Sequence, residues 1–310
     1  MTNDALTLFN QAKNSGQPLR GLDLSGQTLT NERLSGLVFD HCSLVGVTFS
    51  DTQLADCVFL DCDLTGANFV GDSFYRVRFE SPLTKVNLSR ASLNSCVLAN
   101  GEFQDVSLAL ATVFECDFGP KARFVKSVFS SAVVANCQFG QAVFQGCALD
   151  LLVVKDTSFG SLSLIDSVAV QLQAAGLRLP KFSVQGTDLA LANFSQSDLS
   201  GAKLAGMSLA GAFFKETLLV GANLSEAKAA KAIFKGADLS HADLSRFSAP
   251  LSDFSRAKLT QAKLSGADFS GAKLHRVQDL DSLASFKAEG ASYTDEELAR
   301  AEDFRPSLVI

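Results

Sequence analysis

Cysteine is the residue type with the most reactive chemistry in this chain, and all seven cysteines occupy one kind of position. Each stands two residues before a Leu or Phe that recurs at five-residue steps: Cys42, Cys57, Cys62, Cys96, Cys116, Cys137 and Cys147. We do not expect a zinc site, because the chain has no Cys-x-x-Cys pair and no histidine directed at these sulfurs. We therefore interpret the thiols as small, polarisable core residues in a reducing compartment, and we predict no metal and no cofactor.

The three histidines do not form a catalytic site either. His41 precedes Cys42, but successive side chains of an extended chain point to opposite faces, so this pair is not a Cys-His dyad. His241 and His275 fall at outward or terminal positions without a partnered acid or base. A nucleophile triad is therefore not expected, and the sequence lacks a Walker loop and a dinucleotide fingerprint. We predict that the protein is not an enzyme.

A five-residue repeat must position all of these side chains. Leu or Phe returns at every fifth residue from Leu24 onward, and the repeat is most regular from Thr187 to Leu274. The spacing shortens by one residue beside Pro82 and lengthens by one beside Pro120. Neither a helix nor a strand has this period, so the chain is read as a repeat solenoid with turns or bulges at the two prolines.

The repeat units ANFSQ, SDLSG, GADLS and GADFS match the consensus A-(D/N)-(L/F)-x-x. The chain thereby resembles the pentapeptide repeat proteins, and the resemblance covers most of its length. It implies an all-β solenoid: a right-handed quadrilateral parallel β-helix in which four repeats make one coil. The centre residue of each repeat and the residue two before it would point inward. At one coil per four repeats, about thirteen coils are expected.

Recurrences at twenty residues support a coil of that size. Phenylalanines recur at this interval and should stack about 4.8 Å apart along the interior: Phe39, Phe59 and Phe79, then Phe194, Phe214, Phe234 and Phe254. Cysteines should stack in the same way: Cys42 with Cys62, and Cys96 with Cys116 and Cys137. That distance would permit a disulfide, but reduced core thiols are the interpretation we favour.

The sequence divides into three segments. Residues 1–21 are predicted to form an N-terminal cap with a short amphipathic helix, residues 22–276 the β-helix, and residues 277–310 a helical C-terminal cap. Within the β-helix, residues 165–185 are degenerate, because Ala169 and Ala174 replace the large centre residue. We expect a narrowed or slightly disordered coil there.

The C-terminal segment is predicted to contain two helices. The first would span 281–288, and the second would follow a capping box in which the hydroxyl of Thr294 and the carboxylate of Glu297 satisfy free backbone donors. Terminal helices would cover the exposed edge of the last coil. In several bacterial relatives this segment also forms a dimer, so capping alone and capping with homodimerisation both remain open. The apolar residues concerned are Leu298, Phe304, Leu308, Val309 and Ile310.

Composition places the protein in the cytoplasm by default. The N-terminus lacks the basic start and apolar core of a secretory signal, and no stretch is apolar enough to span a membrane. The net charge is −6, with acidic first and last segments and a basic segment between them. Neither a nucleic-acid-binding tail nor a uniformly acidic surface follows from this pattern, so no direct nucleic-acid or membrane partner is predicted.

Two kinds of outward side chain could contact a protein partner. The acidic candidates are Asp51, Asp56 and Asp61, and the apolar candidates are Val133, Val153, Phe213 and Ile233, which share one face by the twenty-residue count. The apolar group could form a partner site, lie beneath a terminal helix or fill gaps between imperfect coils. Elsewhere Asp and Lys alternate between coils, as in Asp238 over Lys258, which favours exposed ion pairs.

The sequence therefore predicts a non-enzymatic bacterial rod that acts as a scaffold in protein–protein interaction, with an unidentified protein partner. The alternative comes from the resemblance. Some pentapeptide repeat proteins bind DNA gyrase or topoisomerase by mimicking DNA and give resistance to quinolones or peptide toxins. A mimic would benefit most from continuous negative potential, and the alternating charges disfavour it.

Overall fold

The computed structural model describes residues 2–98, 101–279 and 286–303, and these residues form a parallel all-β solenoid with one helix near each end. Helix α1 spans Thr2–Ser15 and helix α2 spans Glu296–Asp303. The strands between them are β1 (Leu19–Arg20), β2 (Thr28–Thr30), β3 (Arg33–Ser35), β4 (Val38–Asp40), β5 (Thr48–Ser50), β6 (Gln53–Ala55), β7 (Val58–Leu60), β8 (Ser73–Tyr75), β9 (Arg78–Glu80), β10 (Leu83–Thr84), β11 (Ser92–Asn94), β12 (Glu102–Gln104), β13 (Thr112–Phe114), β14 (Lys121–Val125), β15 (Val133–Ala135), β16 (Gln138–Gln145), β17 (Val153–Lys155), β18 (Ser158–Ile165) and β19 (Ser183–Gln185).

Each strand pairs in parallel with strands about twenty residues away. The longest ladder has the order β17-β15-β13-β11-β8-β6-β3, and a second ladder has the order β10-β12-β14-β16-β18-β19. Beyond β19, isolated parallel bridges continue the pairing, for example Phe213 with Ile233 and Asp238 with Lys258. The predicted parallel β-solenoid is confirmed.

The two changes of spacing are absorbed without loss of pairing. Across Pro82 the bridge offset falls to nineteen residues, as in Asn68 with Asn87, and across Pro120 it rises to twenty-one, as in Ser107 with Val128. After Pro120, β16 and β18 each run straight through a position where other coils turn. A Cβ on Gly140 would lie 2.3 Å from the carbonyl oxygen of Pro120, so only glycine permits this close approach.

The interior is a column of apolar side chains in which aromatic rings stack along the rod. The ring centroids are 4.8 and 5.1 Å apart in the first stack (Phe39, Phe59 and Phe79) and 5.7, 4.8 and 4.7 Å apart in the second (Phe194, Phe214, Phe234 and Phe254). At the N-terminal end, Phe9 and Ala12 of α1 are buried against this core.

The degenerate segment 165–185 keeps the parallel pairing of the coils on either side of it. Val168 bridges to Ala148 on one side and to Asp188 on the other, and Ala169 and Ala174 are both buried. The missing side-chain volume instead leaves an apolar cavity of about 30 Å³, lined by Ala174 among other residues.

The β-pairing extends further toward the C-terminus than predicted. Lys287 bridges to Asp268 and Ser292 to Lys273, so the chain continues the solenoid where a helix over 281–288 was expected. That prediction is wrong for Phe286–Ala288, and residues 280–285 lie outside the described residues. The repeat survives because Phe286 and Ala291 pack against the core at the inward position two residues before a centre, and Ala288 packs against it at the centre position.

Helix α2 also begins one residue later than its predicted cap implies. The Oδ1 atom of Asp295 accepts from the backbone N–H groups of Glu297 and Leu298, at 2.9 and 3.0 Å. The hydroxyl of Thr294 instead accepts from the N–H of Arg276, at 3.0 Å. Asp295 is therefore the N-cap, because its side-chain oxygen accepts from two of the free backbone N–H groups in the first turn of the helix. The predicted cap or dimer residues Phe304, Leu308, Val309 and Ile310 lie outside the described residues.

Candidate interaction surface

The inward position that holds the cysteines is a hydrogen-bonding position. All seven cysteines are buried free thiols. The Sγ atom of Cys62 donates to the carbonyl of Phe39 at 3.3 Å, and the hydroxyl of Ser81, one coil on, donates to the carbonyl of Phe59 at 3.1 Å. Thiol and hydroxyl groups at this position thus donate the same hydrogen bond to a carbonyl of the preceding coil. Burial raises the pKa of the Cys57 and Cys147 thiols. The thiols of Cys57 and Cys147 therefore suit structure better than nucleophilic chemistry.

The same side chains satisfy backbone donors of the preceding coil. In the second half, the N–H of Ala192 bonds to the carbonyl three residues earlier, that of Leu189, at 3.1 Å. Many corners of the first half lack this backbone hydrogen bond. There the N–H donates instead to the inward side chain of the next coil. Cys62 N donates to Ser81 Oγ at 2.8 Å, and Cys96 N donates to Cys116 Sγ at 3.4 Å. Sequence reasoning missed this role, although the Cys, Ser and Thr at that position were visible.

Asp72 is the one acidic residue among the buried polar side chains of the described chain. Its Oδ1 atom accepts from Thr52 N at 2.7 Å, while Oδ2 is buried without a hydrogen-bond partner. Desolvation raises the pKa of this carboxyl to about 6. The group occupies the same position as the cysteines and hydroxyls, so its role is structural.

His41 and the acidic candidate Asp56 lie on the surface in ordinary ion pairs. His41 Nδ1 lies 2.6 Å from Asp40, whose carboxylate raises the pKa of that histidine. Asp56 is paired with Arg76 at 2.6 Å, so its charge is neutralised. Asp51, Asp56 and Asp61 stand at three successive corners with left-handed backbone. Within residues 2–98, 101–279 and 286–303, no cluster of His, Cys, Asp or Glu is arranged to hold a metal ion.

The apolar candidates form one column, but polar residues divide it. Val133 pairs with Val153 in the ladder of β15 and β17. Gln173 and Asn193 follow in the next two coils, and Phe213 and Ile233 come after them. Val133 and Phe213 are exposed at 39% and 40%, whereas Val153 and Ile233 are half-buried. The structure therefore places two apolar pairs on one face.

Beside this column, one corner of the solenoid carries leucines that sequence analysis missed. Thirty-two non-glycine residues of the described chain have left-handed backbone, and all are polar or charged except four leucines. These four lie along the same corner: Leu110, Leu151, Leu191 and Leu251. They are exposed by 44% to 62%. A Leu in this conformation costs about 1–2 kcal/mol, so the corner bears a cost that Gly or Asn would avoid.

The corner leucines and the apolar column lie side by side, and we call the two together the apolar edge. It consists of Leu110, Leu151, Leu191 and Leu251 at the corner and Val133, Val153, Phe213 and Ile233 on the face that follows. Six of these are among the fourteen most exposed large apolar side chains in the described chain. On the other side of the corner, small apolar residues continue the surface: Val170, Ala190, Ala210, Ala230 and Pro250. The arrangement suits contact with another apolar surface and offers no reactive group.

The leucines would have been detectable from sequence as Leu at the turn position two residues after a centre, where Gly stands at Gly211 and Gly271. In the structure, Leu191 lies over Gly211 and Leu251 over Gly271. A Cβ added to either glycine would meet a leucine Cδ2 atom at 2.7 or 2.8 Å. Two of the four leucines, Leu191 and Leu251, are thus each supported by a glycine in the next coil.

Comparisons with known proteins place this geometry in context. No curated protein matches the chain significantly in sequence. Among solved structures, HetL, a pentapeptide repeat protein involved in heterocyst differentiation regulation from the cyanobacterium Nostoc sp. strain PCC 7120, is 22% identical over 85% of this chain and 94% of its own, with a TM-score of 0.31. Full-length QnrB1, a plasmid-mediated fluoroquinolone resistance protein, is 14% identical over 88% of this chain and 96% of its own, with a TM-score of 0.27. Such scores carry no functional argument.

Among the described helices, none is long and apolar enough to cross a bilayer. The family model for pentapeptide repeats matches eight copies, over residues 42–80, 183–215, 208–246 and 252–278. The matched stretches share the five-residue frame, the buried centre residues and the parallel pairing at twenty residues. With the repeat in the sequence and the solenoid in the fold, these stretches of the chain consist of pentapeptide repeats.

Proposed function

We propose that this protein works without catalysis, as a rigid rod that presents its apolar edge to another protein. One observation carries the proposal: among the described residues, the apolar side chains at left-handed, non-glycine corner positions are four leucines, and all four lie on one edge. Strained backbone and exposed apolar side chains that recur along one edge are typical of a contact surface. The surrounding ladder of hydrogen bonds holds that edge rigid.

Site-specific photo-crosslinking in the producing cells tests this proposal. A photoreactive amino acid at Leu191 or Leu251 should capture a discrete protein. Lys181 and Gln261 are matched controls, because they lie at another corner with the same left-handed backbone. Equal capture from both corners, or no capture from the leucines, would contradict the proposal.

DNA mimicry toward gyrase or topoisomerase is the weaker alternative. Asp56 is neutralised by Arg76, and Asp238 and Asp243 lie 3.6 and 3.8 Å from the ammonium groups of lysines one coil on. Such pairs interrupt a negative face. A supercoiling assay tests the alternative: no inhibition, and no relief of quinolone poisoning at high excess of protein, would end it.

The proposal also covers the cellular location, the shape and the oligomeric state of the rod. We place the rod in the cytoplasm, since seven free thiols suit a reducing compartment. We also expect a right-handed, four-sided rod of about thirteen coils, as the resemblance implies. A homodimer through Leu298, which is 49% exposed, and the residues after Asp303 would be tested by light scattering of the purified chain.

A further inference from the structure

The C-terminal part of the apolar edge differs from the rest because lysines surround it. Phe213 and Ile233 are neighbours in adjacent coils. Lys231 stands at the corner on one side of this pair, and Lys215 and Lys235 lie on the same face on the other side, all exposed. The patch therefore has an apolar centre between two cationic margins.

Two of the three lysines of this patch have no ion pair among the described residues, as is also true of several lysines elsewhere on the rod. No carboxylate of the described residues lies within 4.0 Å of the ammonium groups of Lys231 or Lys235, while Lys215 lies 3.4 Å from Glu216. By contrast, Lys258 and Lys263 are each paired with an aspartate of the preceding coil. Two cations of the patch are thus available to carboxylates from outside.

The protein's own helix α2 shows how this face receives an acidic segment. Glu302 lies 2.6 Å from Arg256 and 3.3 Å from His275. His275 belongs to the column that contains Lys215 and Lys235, since each coil's backbone bonds to the next at this position. One carboxylate of this helix therefore already contacts the cation Arg256, one coil beyond the patch, and His275, two coils beyond it.

We propose that the patch around Phe213 and Ile233 binds an acidic amphipathic segment of a partner protein, with its apolar side chains on this pair and its carboxylates at Lys231 and Lys235. This rests on the proposed function and specifies the partner's chemistry. Separate carboxylates suit the site better than a polyphosphate backbone, because Glu216 and Asp253 lie beside the lysines and would repel a continuous polyanion. Apolar residues in the centre give such a segment its anchor.

A random peptide library displayed on phage and selected on the full chain tests the proposal. The expected result is enrichment of peptides that combine Asp or Glu with Leu, Ile or Phe. A selected peptide should bind about tenfold more weakly to the variant K231E/K235E, and binding should weaken with salt. The control variant K181E/K203E reverses two exposed lysines elsewhere, one at a corner and one on a face, and should bind normally.

Three results would overturn the inference: selected peptides without acidic residues, equal binding to both double variants, or tighter binding of duplex DNA or anionic phosphatidylserine vesicles at the same patch. Failure of this inference can be distinguished from failure of the proposed function. If crosslinking from Leu191 and Leu251 captures a protein while no acidic peptide binds, the rod remains an interaction protein and only the partner's chemistry is wrong.

Discussion

At the scale of single residues, Asp72 gives the clearest dependence of stability on pH. Its pKa is raised from 3.8 to about 6 in the folded chain, because burial disfavours the charged form. The folded state therefore holds a proton that the unfolded state releases between these values. Stability from this group is full below about pH 4 and is lost as pH rises through about 6, a change of about 3 kcal/mol.

Chemical denaturation of the wild type and of Asp72→Asn at pH 4 and pH 7 checks this prediction. The amide keeps an acceptor for Thr52 N but does not ionise, so the variant should gain stability relative to the wild type at pH 7 and not at pH 4. Asp72→Thr, which copies Thr52 one coil earlier, should behave in the same way. An identical pH dependence in all three proteins would show that Asp72 does not titrate as described.

The corner leucines allow stability and binding to be separated. The double variant Leu191→Asn/Leu251→Asn puts a residue that tolerates left-handed backbone at both sites. The free energy of unfolding, measured by thermal denaturation, should therefore be unchanged or rise by up to about 1 kcal/mol per site. Crosslinking to a partner from the neighbouring edge position 213 should fall sharply. A loss of stability greater than about 2 kcal/mol would mean that the leucines serve packing over Gly211 and Gly271 instead of a partner.

At the scale of elements, the cavity in the degenerate coil can be filled. Ala174 stands where other coils carry a large centre residue, and a void of about 30 Å³ remains. Ala174→Leu should stabilise the protein by about 1 kcal/mol, measured by denaturant midpoint at constant slope. Ala192→Leu is the matched control: Ala192 is fully buried in the narrow inward position away from the cavity, and overpacking there should destabilise by about 1–3 kcal/mol.

The elements also show how far the sequence could predict the structure. The period of five residues fixes which side chains are inward, so the Phe stacks and the inward cysteines follow from sequence alone. The left-handed conformation of the corners could not be predicted from residue type, because Gly211 and Leu191 occupy the same corner position with the same backbone conformation. The continued pairing at Lys287 was missed because the repeat resumes with a nineteen-residue offset from Asp268. The cavity depends on how neighbouring coils fill space, which no local pattern records.

At the scale of the whole molecule, a solenoid is stabilised by contacts between neighbouring coils, so its ends can open without global unfolding. The last described pairing, in which Leu274 N donates to Ser292 O at 2.7 Å, lies at such an end. Helix α2 is attached beside it by several contacts: Arg276 donates to the carbonyl of Ala299 at 3.0 Å, Glu302 lies 2.6 Å from Arg256, and Ala299 is buried. We infer that α2 protects this end from fraying and from pairing with other chains.

A truncation series tests the role of α2. A chain ending at Ser292 lacks the helix, so amide exchange of Leu274 should accelerate strongly and light scattering should show concentration-dependent association through the uncovered edge. A chain ending at Asp303 keeps the helix, and its exchange at Leu274 should match that of the full chain. The amide of Leu224, several coils away, should stay protected in both, because coil contacts are local. Equal protection of Leu274 with and without α2 would mean that the last coil is stable by itself.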